Sequence, residues 1–281
     1  MGKRIALIFA AAVALGTGSA IAADLLPPPP PMMEAPFLPA GDFSGWYLRG
    51  DVGVGLTQLT DMRSTFAPGS FVPGFAIDRA RIEDTINFGV GAGYQWNSWV
   101  RFDVTGEYRA GGRFSALESY SNTFGLACGA RCYDSYSAHL RTGVFLANGY
   151  FDLGTWYGIT PFVGGGVGVA YHNFRDLTDM SLQPAGGFGM ANDVSKANLA
   201  WALMAGLGYT VNPHLKLEMG YRYLNMGTIK GNQIVCQGVP GGCPLEQQTF
   251  KVASHDFRLG MRWMFNDQPP PPPPPPLIRK Y

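Results

Sequence analysis

Three patterns in the sequence combine residue types that could do chemistry. Ser254, His255 and Asp256 stand in a row, with the side-chain types of a nucleophilic triad. An extended backbone puts Ser254 and Asp256 on one face and His255 on the other, so a strand cannot assemble them into one. The run Gly164–Gly168 is as glycine-rich as a phosphate loop. It lacks the Gly-x-Gly-x-x-Gly spacing and has no helix after it to bind an anion. His139 and His172 are almost equally distant from the Gly154–Gly158 turn. They could face each other across a hairpin rim and hold a metal or haem, although rim histidines are ordinarily solvated. None of these patterns makes a credible catalytic constellation. The reading expects no enzyme, no cofactor and no metal site.

Cysteines form a fourth group. Cys128 and Cys132 lie in one long connection and Cys236 and Cys243 in another. Four cysteines allow three pairings, of which two short bridges within the connections are the simplest. A zinc site would need better spacing than Cys-x3-Cys and Cys-x6-Cys.

Most of the ionisable residues belong to a different pattern. Thr85–Trp96 alternates Ile86, Phe88, Val90, Ala92, Tyr94 and Trp96 with Asn87, Gly89, Gly91, Gly93 and Gln95. Period two marks a strand with one apolar face and one small or polar face. Trp46–Thr57, Trp99–Arg109, Ile159–Tyr171, Leu199–Val211, Leu215–Leu224 and Val252–Phe265 repeat it. Ser137–Leu153 is the least regular: Leu140 and Val144 have one parity and Phe145, Phe151 and Leu153 the other. A bulge near Phe145–Ala147 would reconcile them. The polar faces carry Arg49, Arg101, Arg109, Lys216, Arg222, Arg258 and Arg262 against Asp51, Asp103, Glu107, Glu218 and Asp256. Opposite charges aimed at one interior must pair to be tolerated there.

The links between strands alternate in length. Asn97-Ser98, Gly154–Gly158 and Asn212–His214 are short; 58–84, 110–136, 172–198 and 225–251 are long, and Asp179 falls in one of the long ones. Outer-membrane barrels pair short periplasmic turns with longer outer connections. Each strand also has roughly the ~9–11 residues that cross a bilayer at a tilt. Of six tryptophans, Trp46, Trp96, Trp99, Trp156 and Trp263 fall at the short-turn ends or near the chain termini, where an interfacial girdle belongs. The expected fold is all-β: an eight-stranded antiparallel up-and-down transmembrane β-barrel with four long outer loops.

The flanks read differently. Lys3 and Arg4, the apolar run Ile5–Leu15 and the small residues ending Ala20-Ile21-Ala22 look like a signal peptide over 1–22. Its loss leaves 21 Lys+Arg short by two against 20 Asp+Glu, a net charge of −1, which gives no reason to expect nucleic acid as a partner. A Pro-rich lead spans 23–42, the barrel 43–265 and a tail 266–281. The tail's Pro269–Pro276 would extend ~25 Å as a polyproline helix. It ends in Leu277-Ile278-Arg279-Lys280-Tyr281, a tip that could meet peptidoglycan.

Phe43–Gly50 followed by Asp51–Gly55, Asn148–Gly154, Thr160–Gly168 and Lys216–Tyr223 together resemble the rhizobial and Brucella-type outer-membrane immunogenic proteins, a porin family with an OmpA-like barrel. The resemblance spans about residues 43–265. It implies an eight-stranded barrel in the bacterial outer membrane, a major envelope component and no catalysis; the even strand count puts both termini on the periplasmic side. Lipid and the barrel assembly machinery would be its partners. The expected function is structural, with envelope integrity and surface interaction as its role; a narrow porin or a loop-borne adhesin or haem-binding protein is the alternative. The chain departs from the family in one respect. Members usually end on a Phe at the last strand, whereas Phe265 is internal here.

Overall fold

The structure is a computed structural model that describes residues 44–66, 72–123, 128–183, 186–237 and 246–265, all within the compact unit Ala40–Tyr281. The proposed signal peptide, the Pro-rich lead, the tail and Cys243 lie outside the described residues. The strands are β1 (Gly45–Ser64), β2 (Ala76–Ile82), β3 (Thr85–Gln95), β4 (Val100–Ser121), β5 (Arg131–Asp152), β6 (Ile159–Ser181), β7 (Phe188–Ala191), β8 (Val194–Thr210), β9 (Leu215–Lys230), β10 (Ile234–Gln237) and β11 (Gln248–Met264). All pairings are antiparallel, and β1 pairs with both β3 and β11, which closes the ring β1-β3-β4-β5-β6-β8-β9-β11. Closure leaves this ring without an unpaired edge. The other three strands continue it at one end: β2 pairs with β4, and β7 joins β6 to β10.

Asparagines shape two of the tight turns. Asn97 Oδ1 accepts from the amides of Trp99 and Val100 at 3.0 and 2.7 Å, and Asn212 Oδ1 accepts from His214 and Leu215 at 2.9 and 2.8 Å. These are side-chain mimics of a backbone turn. At the opposite end the long connections are mostly strand. β4, β5 and β6 run 22, 22 and 23 residues, about twice what a bilayer requires.

The outward faces locate the membrane. Leu56, Ile86, Tyr108, Phe145, Tyr171, Leu199 and Phe257 are the last exposed apolar residues of a continuous band. Register places Tyr108 opposite Gly143, Gly143 opposite Tyr171 and Tyr171 opposite Ala197, so the band ends at one level. Above it the exposed side chains become Gln58, Thr60, Arg113, His139, Arg141, Arg175, Lys196 and Lys251.

Beyond that level the alternation continues with its sense reversed. Phe114, Ala116, Ala138, Leu140, Phe174 and Leu177 point inward and are buried. This reversal corrects two expectations. Ser137–Leu153 has no bulge at Phe145–Ala147: its even residues face inward throughout, including Leu140, Val144 and Leu146. Asp179 is not a loop residue but sits half-buried within β6. Bulges do occur higher up, at Thr60/Arg63 and Ser137/His139, next to Asp61 and Asp176, whose φ values are 50° and 55°.

Candidate functional site

The interior is the part of the molecule where chemistry-bearing side chains converge, and it has three layers. The lowest, at membrane level, is ionic. Arg49 reaches Asp103 at 2.9 Å, Asp51 at 3.4 Å and Glu218 at 3.5 Å. Arg101 pairs with Asp152 and with Glu218, both at 3.1 Å, and Arg262 with Glu218 at 3.3 Å. Higher in this layer Arg109 and Arg222 share Glu107 and Asp256 over 2.6–2.9 Å. Arg258 pairs with Asp51 and lies 3.7 Å from Glu107. Lys216 is half-buried on the same face near Asp152 and Glu218.

Room for these long side chains comes from glycine. A Cβ on Gly55 would collide with Arg109 Nη2, and one on Gly166 with Asn148 Oδ1. Aromatic rings flank the Arg101 guanidinium: it lies 4.1 Å from the Tyr150 ring centroid and 4.7 Å from that of Phe162, and the two rings meet edge-on. The network brings together every interior charge named from the sequence. Reading by parity had missed Asp152, because strand Ser137–Leu153 gave no clear facing. Asn148, Tyr150 and Asp152, two residues apart, carried the signal: Asn148 donates to Asp103 at 2.7 Å, and Arg49 donates to the Tyr150 hydroxyl at 2.9 Å.

The middle layer is apolar. Phe114 stacks on Phe250 at 5.2 Å, and Phe174 meets both edge-on at 5.6 and 5.7 Å. Ile82, Leu140, Met226, Ile229 and Val252 complete the layer. Below it, among the ionic side chains, remains a cavity of about 30 Å³ lined by Arg49, Glu218 and Arg258, room for about one or two waters.

The top layer is acidic: Glu118, Asp134, Asp179 and Glu246 with Tyr120, Tyr136, Gln183 and Gln248. Tyr136 Oη donates to Glu246 at 2.7 Å, Ser64 donates to the same carboxylate, and Gln248 Nε2 donates to Glu118 at 3.4 Å. Burial and the Glu246 charge push Glu118 up to about 10; burial with Asp134 and Glu246 pushes Asp179 up to about 8.

The remaining candidates are placed as follows. Ser254 is buried between Arg109 and Asp256, while His255 faces outward against Tyr221, so the row does not form a triad. His139 and His172 are not partners. His139 is opposite Arg175 and is exposed, whereas His172 is buried between Thr142 Oγ1 at 3.0 Å and the Met226 carbonyl at 2.9 Å. Equal distance from the turn was misleading because the hairpin is centred on Tyr157, with Asp152 opposite Phe162, and that register sets His172 opposite Thr142. Gly164–Gly168 is a plain strand segment opposite Leu146–Tyr150. Cys128 and Cys132 form a disulfide with Cα atoms 5.2 Å apart, and Cys236 is disulfide-bonded as well. Trp46, Trp96, Trp99, Trp156 and Trp263 are all about half to two-thirds exposed at the short-turn end.

A closed antiparallel ring with an apolar outer band, an ionic interior and connections long at one end only is a transmembrane barrel of the outer-membrane type. The chain belongs to the outer membrane protein beta-barrel domain family, which it matches over residues 9–265, and it is a protein of the bacterial outer membrane. It is 30% identical over 269 residues to an uncharacterized protein of Brucella abortus, covering 88% of this chain and 93% of the other. It is 25% identical to the outer membrane protein PagN of Salmonella typhimurium, covering 84% and 96%. Among solved structures, the outer membrane protein OprG from Pseudomonas aeruginosa matches with a TM-score of 0.44 and 16% identity, covering 80% of this chain and 97% of that one.

Proposed function

We propose that this protein is a sealed, non-catalytic barrel that braces the outer membrane and holds a stiff β-extension above it for contact with the surroundings. The lumen carries this reading. Arg101, Arg109 and Arg222 are fully buried among carboxylates, and the Phe114, Phe174 and Phe250 rings close the bore above them. An eight-stranded barrel is only wide enough for its side chains to fill. Removing an arginine to open a path would leave its carboxylates buried and unpaired, so the seal and the fold depend on the same groups. The narrow-pore reading would need a continuous wet path, which this packing opposes.

The rest of the assignment follows from that role. Residues 1–22 act as the export signal, and the five tryptophans anchor the short-turn end at the periplasmic boundary. The barrel is inserted by the assembly machinery with both termini in the periplasm, and the 266–281 tail reaches from there towards peptidoglycan. Purified protein reconstituted in liposomes tests the seal: the expected result is no swelling in small sugars or amino acids above that of empty liposomes. Swelling that scales inversely with solute size would replace the sealed reading with a porin.

A further inference from the structure

The acidic top layer differs from the rest of the interior in what it lacks. Among the described residues, Glu118, Asp134, Asp179 and Glu246 take part in no ion pair, while every membrane-level carboxylate has an arginine partner. The strongest charged neighbours of Glu118, Asp134 and Asp179 are other members of the same group. The buried polar atoms left without a partner here are Glu118 Oε2, Asp134 Oδ1, Asp179 Oδ1, Gln183 Oε1 and Gln248 Oε1. All are acceptor oxygens. At membrane level the unpartnered atoms include arginine nitrogens as well as oxygens.

Gln248 is the independent pointer. It is 1% exposed, its amide nitrogen is tied to Glu118 at 3.4 Å, and its amide oxygen has no partner. That oxygen is therefore held in the layer beside the carboxylates. Glu246 is fixed as well, by Tyr136 Oη and Ser64 Oγ, and each carboxylate oxygen keeps a further lone pair. The chain converges on the layer from four directions. Glu118 is opposite Asp134 in the β4–β5 register, Asp179 opposite Tyr136 in β5–β6, and Ile234 is bridged to Glu246.

Buried carboxyl groups with no basic partner either hold protons or are met by a cation that takes the place of those protons. We propose that Glu118, Glu246 and the Gln248 amide oxygen bind one divalent cation of the hard, oxygen-seeking class, with Asp134 and Asp179 as its outer ring of charge. Calcium fits better than magnesium. It accepts six to eight carboxylate, amide and water oxygens in a flexible arrangement, whereas magnesium demands a near-octahedral shell and gives up its water reluctantly. Among the described residues no three acidic, histidine or cysteine side chains converge as a ready-made metal group, so water fills the remaining positions. The ion would tie β4, β5 and the segment before β11 together at the outer end, just below the Cys128–Cys132 disulfide.

Terbium offers a direct probe, since it takes calcium-type oxygen sites and the Tyr136 and Tyr120 rings are placed to sensitise its emission. The refolded full chain, stripped with chelator, should show saturable tyrosine-sensitised terbium emission at one ion per chain. Calcium should displace the terbium at lower concentration than magnesium. Glu246→Gln should weaken binding by more than the roughly 10–100-fold typical of outer-ring losses, and Asp179→Asn should fall within that range. Asp176→Asn, on the exposed face, should leave it unchanged. A heat-shifted band on a detergent gel checks that each variant is folded. Absence of calcium-displaceable emission in folded wild-type protein overturns the site, independently of any variant. Wild-type affinity in folded Glu246→Gln overturns it as well, and places the ion elsewhere.

Discussion

The membrane-level lumen and the outer lumen belong to one continuous sheet and solve the problem of buried charge in opposite ways. At membrane level each carboxylate is matched by guanidinium groups within the protein. Asp256 alone accepts from Arg109, Arg222 and Ser254. In the outer lumen a layer of phenylalanines intervenes, and among the described residues the buried carboxyls above it pair with no cationic side chain; their strongest charged neighbours are one another. The difference follows from what surrounds each level. Within the bilayer nothing outside the chain can supply charge, so the network must be complete at folding. Beyond the bilayer the surroundings can supply protons or ions, so buried carboxyls there need no guanidinium from the chain.

This contrast can be broken first in the lower layer. Arg222→Ala should give the largest loss, roughly 3–5 kcal/mol, because Glu107 and Asp256 would remain buried together with one of their two shared arginines gone. The exposed Lys251–Asp61 pair, at 2.7 Å, is the control: Lys251→Ala should cost about 0–1 kcal/mol. Urea midpoints in one detergent compare the two, and equal midpoints would remove the network from the account.

The apolar layer separating the two levels is tested next. Phe250→Ala deletes a fully buried ring in contact with Phe114 and Phe174, and should cost about 3–4 kcal/mol. The loss should appear as faster hydrogen exchange in the upper halves of β4–β6, with little change near the tight turns.

The level of the boundary itself can be sharpened with arginine substitutions on the outside. Leu259→Arg should cost about 2–4 kcal/mol, since the side chain faces the middle of the apolar band, whereas Thr60→Arg, above the band, should cost close to nothing. Folding yields in lipid vesicles give the comparison. Equal yields would mean the membrane lies higher than the exposed faces indicate.

The smallest effect expected is one of pH, in the presence of chelator. Glu118 is raised to about 10 and Asp179 to about 8, so both favour the protonated form when folded. Their contribution to stability is therefore full below the ordinary carboxyl range near ~4, declines as pH rises from there, and is gone once pH passes about 8 for Asp179 and about 10 for Glu118. Protection factors at the outer ends of β4 and β5 should fall over that interval, and those near the tight turns should hold.

Legibility in the sequence followed the same boundary. In the lower half a lipid-facing residue is apolar and an inward one is small or charged, so Val90, Gly91 and Ala92 announce their faces directly. Strand count, closing order, membrane level and most of the charge network could be read from that rule. Above the bilayer the outer face meets water and the inner face is packed with rings, which inverts the rule. Arg113-Phe114-Ser115-Ala116 alternates as clearly as Val100-Arg101-Phe102-Asp103, but with the apolar residues inside. Read with the lower rule, these segments passed for loops, and Asp179 went with them. The acidic layer was harder still. Glu118, Asp134, Asp179 and Glu246 are far apart in sequence, and only the registers of β4, β5 and β6 and the bridge at Ile234 bring them together.

One comparison tests the two-level account most directly: the urea midpoints of Asp256→Asn and Glu118→Gln, measured against wild type in excess chelator. Asp256→Asn removes a charge that two arginines require, and its midpoint should fall. Glu118 faces other carboxylates and must take up a proton to fold at neutral pH; Glu118→Gln removes that cost while keeping the shape and a hydrogen-bonding head for Gln248, so its midpoint should rise. Midpoints that both fall would mean that Glu118, like Asp256, has a stabilising partner within the protein, and the contrast between the two levels would be wrong.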